Sequence, residues 1–250
     1  MSEVLLLTGS SGIAAATARL WGASDPVFIV GIKPEECRAL AAELPSAGFQ
    51  GVDVRDETAV RKSVATCLER FGKIDALFNV AGISARPQGD GPLHECVTEA
   101  WDTVMDVNAR GTFLMCREVL RVWTRDSQGG TILNMGSVLA QHPQREYFAT
   151  VGYAASKGAI EAMTVCAAAY YAPAGIRINV IAPGLVRTPM SARAQGNAGV
   201  MEFMSRKQPL TRGLLAPEDI AKTACFLLRK DSSPITGQVV TVDGGWTVSP

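Results

Sequence analysis

The sequence predicts an α/β fold: a doubly wound parallel sheet of seven strands in a single domain. Short apolar runs alternate along the chain with longer stretches of helical period, which is the pattern of stacked βαβ units. Of the 250 residues, 47% are apolar and 19% are charged, so the chain can bury enough surface to offset its loss of conformational entropy. This length suits one large hydrophobic core, and no linker or repeat divides residues 1–250.

Seven apolar runs are the expected strands. Most of them are aliphatic or β-branched throughout, as strands covered on both faces of a sheet usually are. In chain order they are Val4–Thr8, Val27–Ile32, Phe49–Val52, Ala76–Asn79, Thr131–Met135, Arg177–Ile181 and Val239–Val242.

Two helices have clear starting signals. Between Asp56 and Phe71, apolar residues recur at steps of three and four after an acidic first turn. Another helix is expected from Pro217, because proline suits the first helical position. The acidic residues that follow, Glu218 and Asp219, suit the positive end of the helix dipole.

Two segments do not fit the alternation of strands and helices, and we expect them to be irregular. Ile83–Val97 contains two prolines and two glycines, and Leu185–Leu215 is polar, dotted with glycine and rich in Met and Arg. Long insertions of this kind in a compact domain usually carry a binding site or a lid. Residues 185–215 are therefore expected to form a substrate-binding loop or lid within the domain.

Composition excludes several classes of partner. The 24 basic and 24 acidic side chains balance, which leaves no overall cationic field for nucleic acid. The apolar stretch Val4–Leu7 is far too short for a signal core or a membrane span, so we expect a soluble, cytoplasmic protein without a membrane partner.

The six cysteines form no CxxC pair and are expected to be reduced and buried. His94 and His142 have no companion at metal-ligand spacing, so no metal site is expected.

A glycine-containing turn follows the first expected strand and opens the first helix. It reads Thr8-Gly-Ser-Ser-Gly-Ile-Ala14, and its expected phosphate contacts are Gly9, Ser11, Gly12 and Ile13. At this place Gly9 permits a tight turn and Gly12 lets backbone N–H groups approach a pyrophosphate. The turn alone is weak support for binding, because any strand-to-helix connection can require glycine.

Five further motifs follow in order. They are Asn79-Val-Ala-Gly82, Asn108, Ser137 with Tyr153-Ala-Ala-Ser-Lys157, Pro183-Gly184, and Asp243-Gly-Gly245. With the glycine turn, they make the whole chain resemble a short-chain dehydrogenase/reductase of the classical type. The resemblance implies a Rossmann fold and an oxidoreductase that transfers hydride between a nicotinamide cofactor and a ketone or secondary alcohol.

Two departures from the family pattern stand out. Only two residues separate Gly9 from Gly12, and Ala14 replaces a third glycine, which alters the path of the loop around the pyrophosphate. Fifteen residues separate Ser137 from Tyr153, about three more than the family usually has, and they are expected to enlarge or reshape the substrate wall.

The catalytic residues implied by the resemblance are Asn108, Ser137, Tyr153 and Lys157. Tyr153 and Lys157 are four apart on an expected helix, so both project from one face. The nearby ammonium is expected to lower the pKa of the phenol, which then exchanges a proton with the substrate oxygen while Ser137 holds that oxygen. In the family, Lys157 also holds the nicotinamide ribose, and Asn108 orders a water on the proton path. Each residue taken alone has an ordinary packing or turn role as its alternative.

The expected cofactor contacts extend beyond the glycine turn. They also include Lys33, Asp53, Val54, Asn79, Ala81, Gly82, Tyr153, Lys157, Pro183, Gly184, Val186 and Thr188. The family commonly has an acid at the end of the second strand for NAD(H), and here Lys33 stands at about that place. A cation there favours a 2′-phosphate, so NADP(H) is expected, with NAD(H) as the alternative if Glu35 or Glu36 serves the ribose.

The substrate is expected to be a small molecule with a hydrophobic body, such as a ring ketone or a steroid. Its expected contacts are Ser137, Tyr147, Tyr153 and Met190, with further apolar contacts from Phe148, Met201, Phe203 and Met204. Arg86, Arg145, Arg187 and Arg193 are candidates for an anionic tail, or are solvated arginines.

Two alternatives to this function remain open. The first is a 3-oxoacyl-carrier-protein reductase, although Tyr171-Ala-Pro-Ala-Gly175 offers no cation for docking a carrier. The second is a non-catalytic cofactor-binding sensor or scaffold. The family usually assembles as a homotetramer, which the small-residue run Ala162–Ala172 would permit.

Overall fold

The computed structural model describes residues 2–249 and contains a single parallel sheet. Its strands are β1 (Leu5–Thr8), β2 (Val27–Gly31), β3 (Ala47–Gly51), β4 (Ala76–Asn79), β5 (Gly130–Met135), β6 (Ile176–Pro183) and β7 (Val239–Val242). The strand order is β3-β2-β1-β4-β5-β6-β7, and every neighbouring pair is parallel. The expected fold class is confirmed, and all seven strands lie where the apolar runs placed them, with ends shifted by at most two residues.

Ten α-helices connect or flank these strands in the described chain. They are α1 (Ile13–Gly22), α2 (Pro34–Ala42), α3 (Glu57–Phe71), α4 (Thr98–Val104), α5 (Gly111–Arg125), α6 (Arg145–Phe148), α7 (Val151–Tyr171), α8 (Ala192–Gln195), α9 (Ala198–Lys207) and α10 (Pro217–Leu228). The two expected helix starts are confirmed. The Asp56 side chain caps α3 by accepting from the N–H groups of Thr58 and Ala59, and Asp219 accepts from Ala216 at the start of α10.

Two hydrophobic clusters cover the faces of the sheet. One includes Leu6, Leu77 and Trp123 and packs α3 and α5 against one face. The other includes Leu7, Phe78 and Trp21 and packs α1 and α10 against the opposite face. Because parallel strands all end at the same edge, this double covering leaves that edge as the place for a ligand, next to the order reversal between β1 and β4.

The segment 185–215 differs from the expected irregular loop. It contains α8 and α9, and Val200 and Met204 on α9 are fully buried in a third cluster with Phe148 and Trp246. The four-residue step from Val200 to Met204 is the helical signal, and the glycine and polar residues around it obscured the pattern. Packing against the body of the protein therefore supplies this segment with a hydrophobic core of its own.

Two other expectations concern the cysteines and the membrane. All six cysteines are free, but only Cys37, Cys67, Cys116 and Cys225 are buried. Cys166 is exposed on α7, so the expectation that all are buried is wrong there, because its position faces away from the sheet. Within residues 2–249, no helix is long and apolar enough to span a bilayer.

Candidate active site

A cavity of about 690 Å³ lies at the carboxyl edge of the sheet, where loops from several strands meet. Most of the residues expected to bind cofactor or substrate line it. They are Gly9, Ser11, Gly12, Ile13, Lys33, Asp53, Val54, Ala81, Gly82, Ser137, Tyr153, Lys157, Pro183, Gly184, Val186, Thr188 and Met190. Asn79, Asn108 and Tyr147 are not part of its lining. The volume is within the usual range for small-molecule sites.

The glycine turn has the geometry that an anion site requires. Gly9 and Gly12 have φ angles of 100° and 54°, which side-chain-bearing residues rarely adopt. A Cβ on Gly12 would lie 2.8 Å from Cγ2 of Thr188, so this glycine allows the turn and the lid to touch. No side chain caps the start of α1, so the helix directs its N-terminal partial charge at the cavity. The turn thus fits the pyrophosphate of a dinucleotide despite its short spacing.

Tyr153, Ser137 and Lys157 converge at the opposite end of the cavity. Tyr153 and Lys157 both belong to α7, and the Lys157 Nζ lies 5.6 Å from the centre of the Tyr153 ring. The same Nζ donates to the Met135 carbonyl at the end of β5, at 2.8 Å. Ser137 follows β5, and its hydroxyl accepts from the Leu139 N–H at 3.2 Å. The helix and the strand end together hold all three polar groups within one small region.

Burial controls the pKa values of this group. It raises the pKa of Tyr153, and a hydrogen bond with Ser137 acts in the opposite direction. It also lowers the pKa of Lys157 to about 8. The pKa of the phenol is therefore raised in the described chain and not lowered as expected, because desolvation outweighs the hydrogen bond with Ser137. A phenol that stays protonated at neutral pH is suited to donate a proton.

Asn108 lies in a π-helical segment, Met105–Arg110, between α4 and α5. Its Oδ1 accepts from the Ile83 N–H at 2.8 Å, and its Nδ2 donates to the Ile83 carbonyl and the Ser156 hydroxyl at 3.0 Å each. The widened turn brings the amide to this position, and such turns are frequent at functional sites. Asn108 therefore fastens the loop after β4 to α7, the helix that carries Tyr153.

Asn79 is in the sheet core and not in the cavity. Its Nδ2 donates to Oδ1 of Asn134 at 2.9 Å, and Asn134 in turn donates to the Thr164 hydroxyl on α7 at 2.9 Å. Asn79 is the last residue of β4, and its side chain lies on the face of the sheet that α5 and α7 cover, beside Cys116. It contributes to the site by joining β4, β5 and α7.

Charged groups line the other end of the cavity, beyond β2 and β3. Lys33 Nζ lies 2.7 Å from Oε1 of Glu36, whose Oε2 accepts from the Ser10 hydroxyl at 3.1 Å. Asp53 binds Arg55 at 2.6 Å, which lowers the pKa of the carboxyl. Each acid therefore has a cation beside it, and Lys33, the residue expected to attract a 2′-phosphate, is already paired with Glu36.

Tyr147 differs from its expected role. Its ring packs against Phe203 at a centroid distance of 5.5 Å, away from the cavity, and the adjacent Phe148 lines the cavity instead. The short helix α6 turns these consecutive side chains in different directions. Phe203 and Met204 of the lid also pack in the third cluster and do not line the cavity.

Two residues of the site gave no signal in the sequence. Trp246 comes from near the end of the chain, is buried beside Phe148, and lines the cavity. Asp90 is 3% exposed, and its two carboxylate oxygens accept from the N–H groups of Gly152 and Tyr153, each at 2.9 Å. Only the path of the chain brings Asp90, a loop aspartate, to the start of a helix more than sixty residues later.

Comparisons with known proteins agree with this geometry. A family model described as enoyl-(acyl carrier protein) reductase matches residues 8–247. The short-chain reductase protein NovJ of Streptomyces niveus is 37% identical, over 97% of this chain and 93% of its own. The cis-4-hydroxycyclohexanecarboxylate dehydrogenase of Sinomonas cyclohexanicum is 35% identical, over 98% and 96%. A solved structure of 3-ketoacyl-(acyl-carrier-protein) reductase from Brucella melitensis, complexed with NADH, is 30% identical, with a TM-score of 0.86 over 98% of both chains.

Proposed function

We propose which residues perform the reaction of this chain, which belongs to the short-chain dehydrogenase/reductase family. Members of this family are nicotinamide-dependent oxidoreductases that act on CH–OH groups, and so is this chain. The proposed catalytic residues are Tyr153, Ser137 and Lys157, with Asn108 positioning them. The observation that carries the proposal is the convergence of the first three at one end of a cavity whose other end is a glycine turn.

The roles of the residues follow from their surroundings. The bound nicotinamide ring would supply or accept a hydride. Tyr153 gives its proton to a substrate carbonyl oxygen in reduction, and its raised pKa keeps that proton available at neutral pH. The Ser137 hydroxyl donates to the same oxygen, where negative charge develops. Lys157 is held by the Met135 carbonyl beside the ring of Tyr153, and its positive charge stabilises the negative charge that develops on the phenol oxygen as the proton leaves.

The proposed cofactor is NADP(H), with NAD(H) as the alternative. Gly9, Ser11, Gly12 and Ile13 would hold its pyrophosphate, and the lid residues Val186 and Thr188 its carboxamide. With NADP(H), the ion pair between Lys33 and Glu36 would break, and Lys33 would pair with the 2′-phosphate. With NAD(H), the Glu36 carboxylate would instead accept hydrogen bonds from the ribose hydroxyls. Affinities for NADPH and NADH decide between them. Lys33→Ala should weaken NADPH alone, and Glu36→Gln should weaken NADH if the alternative is correct.

The proposed substrate is a ketone or secondary alcohol on a hydrophobic ring. Phe148, Met190 and Trp246 give its end of the cavity an apolar wall, and residues 185–215 are proposed as its lid within a single cofactor-binding domain, 1–250. The relative from Sinomonas, by its name, acts on a ring alcohol. A 3-oxoacyl-carrier-protein reductase is the alternative, since the Brucella structure bears that name, and an acetoacetyl thioester in the substrate panel tests it.

Replacement of the phenol tests the catalytic assignment. Wild type and Tyr153→Phe are compared with NADPH or NADH on a panel of cyclic ketones, with fluorescence titration for cofactor affinity. We expect the variant to lose 10²- to 10⁴-fold in turnover, as for loss of a general acid, while its cofactor affinity stays the same. Tyr171→Phe, at the far end of the same helix, is the matched control. Equal slow rates for wild type and Tyr153→Phe would instead support a sensor or scaffold.

The proposal extends to assembly and location. An exposed stripe on α7, formed by Ala162, Val165, Ala169 and Tyr170, has apolar and small side chains at helical spacing. A homotetramer would bury this stripe against a second copy, and Val165→Glu should then dissociate it. A 26.5 kDa species in light scattering of the wild type would refute the tetramer.

A cytoplasmic location is also proposed. It is supported by the six cysteines, which form no disulfide.

A further inference from the structure

Two arginines from distant segments meet at one backbone oxygen beside the catalytic group. Arg86 lies in the loop after β4, and its Nη1 donates to the Tyr147 carbonyl at 3.1 Å. Arg193 lies on α8 of the lid, and its Nη2 donates to the same oxygen at 3.4 Å. Both side chains line the cavity that also contains Tyr153. The structure thus holds two like charges close together at the substrate end.

No carboxylate compensates these charges within residues 2–249. Neither arginine forms an ion pair there, whereas other arginines, such as Arg19, Arg117 and Arg229, do. The acids that line the cavity, Glu36 and Asp53, are paired with cations at the opposite, cofactor end. Burial, and secondarily the neighbouring Arg86, lower the pKa of Arg193.

The arrangement retains most of its capacity to donate hydrogen bonds. A guanidinium has five N–H donors in a planar fork, and the Tyr147 carbonyl can satisfy only one from each arginine. Forks of this kind bind carboxylates with paired, charge-assisted hydrogen bonds. Phe148 and Trp246 add apolar surface to the cavity, and Glu36 and Asp53 are the only carboxylates among the described residues that line it.

We propose that Arg86 and Arg193 bind a carboxylate on the substrate, so that the enzyme acts on a ring ketone or ring alcohol that is also a carboxylic acid. The apolar wall takes the ring, and the reacting oxygen lies at Tyr153 and Ser137. This inference rests on the proposed function and narrows it. It also assigns a specificity role to the lid, because Arg193 reaches the site only when α8 is packed as described.

A matched pair of substrates tests the inference. The ratio of kcat/KM for 4-oxocyclohexanecarboxylate to that for 4-methylcyclohexanone, which is similar in size but neutral, should exceed tenfold in the wild type. Arg86→Gln and Arg193→Gln should each reduce this ratio at least tenfold, mainly by raising KM for the acid. Arg145→Gln removes an exposed arginine outside the cavity, two residues before Tyr147, and should leave the ratio unchanged.

A binding measurement keeps the inference separate from turnover. Calorimetric titration with cyclohexanecarboxylate should show binding to the wild type that Arg86→Gln and Arg193→Gln weaken at least tenfold and Arg145→Gln does not. Equal ratios and equal binding in wild type and variants would overturn the inference while leaving the proposed function intact. A loss of dinucleotide affinity in Arg86→Gln or Arg193→Gln would also overturn it, since the arginines would then serve the cofactor. Binding of the acid without turnover of any ketone would support the carboxylate site at the two arginines but contradict the proposed function, and with it the substrate assignment.

Discussion

Replacement of Asp90 should weaken both the fold and the reaction. Its carboxylate accepts from the N–H groups of Gly152 and Tyr153 in the first turn of α7, where Thr150, at the capping position, makes no side-chain bond to the helix. Asp90→Ala leaves two N–H groups without this partner at a site that is 3% exposed. Each bond to a charged acceptor contributes about 1.5–3 kcal/mol, so we expect a loss of about 3–5 kcal/mol in the free energy of unfolding.

Thermal and kinetic assays on the same samples check this expectation. For a chain of this size, the loss corresponds to a fall of about 6–20 °C in Tm. Because Tyr153 lies in the released turn, kcat should fall at least tenfold, and Asp90→Asn, which keeps one acceptor, should be intermediate in both measurements. Asp102→Ala removes an exposed carboxylate and is the control. A Tm within 2 °C of the wild type, with unchanged kcat, would refute the view that Asp90 holds the catalytic helix in place.

Three further predictions concern charge, backbone and capping. The buried Lys157 has a pKa of about 8 against an ordinary value of 10.5, so the unfolded chain binds more protons between these values. Raising the pH from 7.5 to 10 should therefore stabilise the wild type relative to Lys157→Met by about 2–3 kcal/mol in urea unfolding, and no relative change would contradict the lowered pKa. Gly12→Ala puts a Cβ 2.8 Å from Cγ2 of Thr188 at a positive φ, and should raise the dinucleotide Kd at least tenfold in fluorescence titration, whereas Gly158→Ala, with open space around its Cβ, should not. Arg177 donates to four backbone carbonyls and one hydroxyl around the end of α10, and Arg177→Met should cost about 2–4 kcal/mol in urea unfolding, against no loss if solvent replaces those bonds.

The strands and the main motifs that line the cavity could be predicted from the sequence because their signals are local. An apolar run of strand length, a glycine turn between β1 and α1, and the four-residue step from Tyr153 to Lys157 each specify a conformation within a few residues. The order of these motifs then placed them on one edge of the sheet, since parallel strands share their carboxyl ends. The helix α9 could not be predicted because its local signal is weak. Glycine and polar side chains surround its buried apolar pair, Val200 and Met204, and hide the helical spacing.

The sequence by itself determined the sheet, the phosphate turn and the pairing of a tyrosine with a lysine. Only the tertiary structure decided that Asp90 caps α7, that Tyr147 points away from the cavity, and that Arg86 and Arg193 meet at one carbonyl. It also decided the pKa of Tyr153, which depends on how completely the folded chain removes water from the phenol. The physical reason is distance along the chain: backbone preferences act over a few residues, whereas burial and long-range contacts exist only once separate segments have packed together.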